Sequence, residues 1–158
     1  MNENETNELN ERRKGSGMNA TMERTREMKE AWMEEHQGGW CDGTPAAEGL
    51  YKGAKVINVF VGLGMRRRKF QSQEIEEVDL VVVRLGWRDG AGEPYRYETG
   101  PMKISSSPRS ALCRFLRELL GREVRGIVRP EGLRKLKGMP CQVTVGERRR
   151  VISVVRAW

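Results

Sequence analysis

The chain has 158 residues and carries 29 Lys and Arg against 22 Asp and Glu, a formal charge of +7. It has no run of 18 or more apolar residues, and its polar, acidic start (Met1-Asn-Glu-Asn-Glu) lacks an apolar core, so neither a transmembrane helix nor a secretory leader is expected. Three scattered cysteines, Cys41, Cys113 and Cys141, fit reduced thiols in a cytoplasm better than a disulfide frame.

The charge is uneven. Residues 1–45 hold six basic and ten acidic residues, whereas residues 46–158 hold 23 basic and 12 acidic. A basic domain attracts polyanions, because binding releases the counterions condensed on a phosphate chain. The bland alternative is a solvated basic surface.

Residues 1–17 are polar, rich in Asn and Glu, and read as a disordered lead. Met18, Met22, Met28 and Trp32 fall near helical spacing among Glu, Arg and Lys, which predicts a thin-striped helix over about 18–36. Gly38-Gly39 and Asp42-Gly43-Thr44-Pro45 end it, and the domain boundary is placed near residue 45. Strand character begins after Leu50, with Val56-Ile57-Asn58-Val59-Phe60-Val61 as the first strand. Gly62, Gly64 and Arg66-Arg67-Arg68-Lys69 read as a loop. Ile75 to Trp87 is a second strand around Leu80-Val81-Val82-Val83, and Asp89-Gly90-Ala91-Gly92 is a turn. Tyr95 to Thr99 is a third strand, continuing irregularly toward Ile104.

Ser105-Ser106-Ser107-Pro108 opens a helix, and Ala111, Leu112, Phe115, Leu116, Leu119 and Leu120 form its apolar stripe before Gly121 stops it. Cys141 to Val145 is a fourth strand, Gly146-Glu147 a turn, and Arg150 to Ala157 a fifth strand. Cys113 and Cys141 sit in apolar patterns and are expected in the core. The order β-β-β-α-β-β predicts a mainly β domain over 46–158: a five-stranded Greek-key OB-fold barrel with its helix between strands three and four. Residues 1–45 are then an extension, disordered and in part helical. An α+β sandwich of the same elements is the rival architecture.

In an OB barrel the ligand crosses strands two and three, framed by the loops after strands one and four. Arg66, Arg67, Arg68 and Lys69 occupy the first loop and Arg148, Arg149 and Arg150 the second, so both runs are expected at one rim. Unpaired bases also need rings to stack on. Trp87, Tyr95 and Tyr97, interleaved with Arg84, Arg88 and Arg96, supply candidates, as does Phe70 beside the first run. Alternation puts Val81, Val83, Leu85 and Trp87 on one face with Arg84 opposite, and Tyr95 with Tyr97 opposite Arg96. A one-residue slip would invert these faces.

Other chemistry finds little support. His36, the single histidine, makes no metal set with Cys41, and no Cys-x-x-Cys occurs. Gly62-Leu63-Gly64 is too short for a nucleotide fingerprint, and no P-loop is present. Glu74, Glu76, Glu77 and Asp79 cluster at a strand end and read as a solvated surface. With no nucleophile–base pair, neither an enzyme nor a cofactor or metal is expected.

Several segments in order are similar to a known family. Gly49-Leu50-Tyr51 is followed by Val59-Phe60-Val61-Gly62-Leu63-Gly64, and Leu85-Gly86-Trp87 ends the second strand. Lys103-Ile104-Ser105 leads to Ser110-Ala111-Leu112-Cys113-Arg114-Phe115-Leu116, then Gly121-Arg122, then Leu136-Lys137-Gly138-Met139-Pro140-Cys141-Gln142-Val143. Over Glu48 to Val155 the chain resembles the small single-stranded DNA-binding proteins of tailed bacteriophages. The resemblance implies an OB-fold that coats single-stranded DNA in replication or recombination, in the host cytoplasm and without strong sequence preference. Residues before 45 have no counterpart, and the arginine content is high for the class and would equally suit RNA or duplex. An RNA-binding module and a non-enzymatic interaction or phage assembly subunit are the alternatives. In the latter the Met18–Trp32 segment would dock a replication partner or a second copy. No membrane partner is expected.

Overall fold

The computed structural model describes residues 23–69 and 71–157. Two compact units divide at Glu35 and His36. In the first, residues 23–35 form helix α1, with Arg26 Nε 3.2 Å from Glu30 Oε1 one turn on, a spacing that favours a helix. The polar lead 1–17, Met18 and Met22 lie outside the described residues. The second unit starts at His36, ahead of the boundary read near residue 45. Residues 36–45 carry no long apolar pattern, yet His36 is buried, and Ala46 just beyond them lies in the core.

The second unit is one antiparallel sheet. Its strands are β1 (Gly39–Trp40), β2 (Gly49–Arg68), β3 (Ile75–Arg88), β4 (Pro94–Glu98), β5 (Met102–Lys103), β6 (Pro140–Val145) and β7 (Val151–Arg156). The spatial order is β1-β4-β3-β2-β6-β7, with β5 also on β3. The 20-residue β2 organises it. Its first part pairs with β6, from Gly49↔Val145 to Lys55↔Pro140. The remainder pairs with β3, from Lys55↔Gly86 to Arg68↔Ile75. A strand this long must bend to serve two partners, and register shifts at Tyr51/Ala54, Val56/Asn58 and Gly62/Met65 mark the bends.

The sheet curls around one hydrophobic core. Val81, Val83, Leu85 and Trp87 of β3, Ala54 and Val56 of β2, and Cys141, Val143 and Val145 of β6 face inward. Helix α2 (Ala111–Leu120) covers them with Leu112, Leu116 and Leu119. Each buried leucine contributes roughly 2 kcal/mol. The Ser110 side chain caps α2 by accepting from Cys113 N, and Gly121 ends it at φ 67°, a left-handed value suited to glycine. A short helix α3 (Pro130–Arg134) adds Leu133. Burial pushes the Cys141 thiol up to about 11, so it stays a protonated core side chain.

Two features depart from the expected five-stranded closed barrel. The third strand is split into β4 and β5. The edge of β4 that closure would offer to β7 is taken by β1, through Gly39↔Glu98 and Trp40↔Tyr97. β1 and β7 are the sheet edges and do not pair with each other. A side chain spans the seam instead: Trp40 Nε1 donates to the Arg149 carbonyl at 3.0 Å. Among the described residues, no helix is long and apolar enough to cross a membrane.

Candidate nucleic-acid interface

The strand registers define the sheet's outer face row by row. Lys55 of β2, Gly86 of β3 and Arg96 of β4 form one row. Asn58, Arg84 and Glu98 form the next, followed by Phe60 and Val82. Lys103 of β5 lies opposite Leu80, and Arg88 opposite Pro94. Lys55, Arg84, Arg88, Arg96 and Lys103 therefore share the face turned away from the core, around a centre where Leu80, Val82 and Glu98 are buried. The Val56/Asn58 shift makes this possible. Without that bulge, the step of three from Lys55 to Asn58 would put the two residues on opposite faces.

Carboxylates on this face are engaged. Glu98 is 4 % exposed and accepts from Arg84 Nε at 2.9 Å. Its other oxygen lies 3.3 Å from His36 Nδ1. The His36 and Phe60 ring centroids are 4.3 Å apart, and the Arg84 guanidinium sits 4.8 Å above the Phe60 ring. Arg96 grips Asp42 in a fork, with Nη2 2.8 Å from Oδ1 and Nε 3.3 Å from Oδ2. That fork is the geometry a phosphate would also use.

The Glu98 cluster ties the β4 edge to β3. Glu98→Ala is expected to lower stability by about 3 kcal/mol, because it leaves the largely buried Arg84 guanidinium without its counter-charge. Glu98→Gln keeps an acceptor and should cost less than half of that. Urea melts of both variants check this; an alanine variant that melts with the parent would show that the cluster does not hold the edge.

The arginine runs are not in the places expected. Arg66, Arg67 and Arg68 are not a loop: they continue β2 opposite Glu77, Glu76 and Ile75. Arg67 Nε is 2.9 Å from Glu76 Oε1, and that bond holds the Glu76 carboxyl below its ordinary range. Lys69 Nζ is 3.2 Å from Glu74 Oε2, while Asp79 accepts from Gly64 N at 2.8 Å. Cross-strand charge pairing is what lets the hairpin run on through Gly62 and Gly64. Arg66 and Arg68 remain exposed near its tip. Arg148 and Arg149 sit in the turn between β6 and β7 at φ 59° and 54°, exposed along with Arg150. Since Gly49 pairs with Val145 and Arg68 with Ile75, the two runs lie at opposite ends of β2 rather than at one rim.

Nor do the aromatics line the outer face. Trp87, Tyr95 and Tyr97 share the inner face, where Trp87 is 5 % exposed and the tyrosines are half-buried. Trp87 packs 5.5 Å from Trp40, 5.4 Å from Tyr51 and 6.3 Å from Tyr95, centroid to centroid. Tyr95 Oη donates to Asp89 Oδ2 at 3.1 Å. Burial raises the Tyr97 phenol. Phe70 lies outside the described residues. Phe60, Lys55 and Lys103 were missed by sequence reasoning. Lys55 and Lys103 stand alone in the sequence, and Phe60 looks like one more apolar strand residue. Comparison of the chain with protein-family models, with curated proteins and with solved structures finds no match in any of the three.

Proposed function

We propose that residues 36–158 form an OB-type domain that binds single-stranded DNA without strong sequence preference. It would act as a non-enzymatic coat in replication or recombination. The observation that carries this reading is the outer face of β2, β3 and β4. Lys55, Arg88 and Lys103 stand exposed there, opposite the core, beside Arg84 and Arg96, which are paired with Glu98 and Asp42. The OB assignment is supported by the neighbours of the long first strand: β2 with β3 and β6, β6 with β7, and α2 between the third and fourth strand positions. The likeness of Glu48–Val155 to phage single-strand binders points the same way.

With Trp87, Tyr95 and Tyr97 facing inward, attraction to phosphates dominates, and Phe60 is the ring nearest the path. Such a site reads charge and backbone flexibility rather than base identity. Fluorescence anisotropy with oligo-dT, matched RNA and duplex across a salt series tests it. Oligo-dT should bind best, with the logarithm of affinity falling linearly against the logarithm of salt. Duplex affinity equal to or above that of the single strand would overturn the reading, and RNA in first place would reassign the polymer.

A further inference from the structure

We infer that the nucleic-acid path leaves the sheet and continues over the segment between α2 and β6, residues 121–138, which forms a second phosphate-binding surface. The inference rests on the nucleic-acid reading above and extends it. Arg122, Arg125, Arg129, Arg134, Lys135 and Lys137 are all exposed. The segment has two carboxylates, Glu123 and Glu131, and Glu123 Oε1 is 3.2 Å from Arg117 Nε. So dense a set of like charges repels itself, and a polyanion relieves that repulsion.

The cations stand on a fixed base. Leu133 and Leu136 are buried in the core. Val128 N donates to Ser106 Oγ at 2.8 Å. Gly138 N donates to the Val56 carbonyl at 2.7 Å, and Val56 N to the Met139 carbonyl at 2.8 Å. These two bonds lay residues 138–139 against β2 beside Lys55, the β2 member of the Lys55–Gly86–Arg96 row. Lys137 is thus one residue from the backbone that pairs with β2 next to Lys55.

The relief of this surface suits a polymer chain. A methyl group added at Gly126, Gly132 or Gly138 would meet no atom within 4 Å, so the backbone is open at these three positions. Ile127 is 73 % exposed among them, an apolar contact for an unstacked base or sugar. An acidic protein would use the charge but would not need its continuity with the sheet face.

The test uses the whole chain with Arg134→Gln, Lys135→Gln and Lys137→Gln combined, against two probes: oligo-dT of about 8 nucleotides, short enough for one OB face, and of about 30. The long probe should lose roughly tenfold or more in affinity, and its salt slope should fall by about 2, at about 0.7 per lost phosphate contact. The short probe should change little, so the ratio of long to short affinity falls. An unchanged ratio overturns the extension, whether both probes are unaffected or both weaken alike. Binding of neither probe by the parent protein would instead sink the proposed function. These side chains are exposed, so an unaltered melting temperature serves as the folding control.

Discussion

Trp87→Ala is expected to cost the His36–Trp158 unit about 3–5 kcal/mol, the range for removing a buried large aromatic. That is a fifth or more of the stability of an ordinary domain. The ring is 5 % exposed and lies between Trp40, Tyr51 and Tyr95, so its removal opens a void no neighbour can fill without moving. A stacking tryptophan would behave otherwise: its loss would weaken binding and leave melting alone. Trp87→Phe separates packing from polarity. Among the described residues the indole Nε1 has no hydrogen-bond partner, so phenylalanine gives up volume only, at about 1–2 kcal/mol. Urea melts and dT titrations on all three proteins decide the matter. An alanine variant that melts like the parent but has lost its affinity would return Trp87 to the ligand face.

That result bears on what was legible in the residues. Alternation along Val81, Val83, Leu85 and Trp87 does correspond to one buried face, because a strand's period is local. Helix α2 was legible from its stripe, its Ser110 cap and its Gly121 stop for the same reason. Strand length was not. Gly62, Gly64 and four consecutive cations look like a loop, but Glu76 opposite Arg67 and Glu74 opposite Lys69 keep the hairpin paired. β1 has two residues, too few for any period, yet it occupies the edge on which barrel closure depends. The convergence of Lys55, Arg84, Arg96 and Lys103 comes from register across four strands and from one bulge. No window of sequence contains it.

The opposite placement of the arginine runs has a measurable consequence. Arg148 and Arg149 both hold positive φ, a conformation that costs a non-glycine residue on the order of 1 kcal/mol or more. Gly146 N to the Arg150 carbonyl (2.8 Å) and Arg149 N to the Gly146 carbonyl (3.2 Å) close the turn. The Trp40 indole holds the Arg149 carbonyl. All of these contacts to the turn use backbone groups that glycine also has. Replacing Arg148 and Arg149 by glycine therefore removes two cations while relieving strain. The melting temperature should hold or rise while affinity for oligo-dT falls roughly tenfold and the salt slope drops by about 1.4. Arg66→Ala with Arg68→Ala, at the far end of β2, should give a loss of the same size. Because the pairs are far apart and share no partner, the four substitutions together should lose the product of the two effects, with the slope down by about 2.8. Anisotropy across a salt series reads this directly. If the combined variant loses no more than either pair alone, the polymer does not reach both ends of β2 at once.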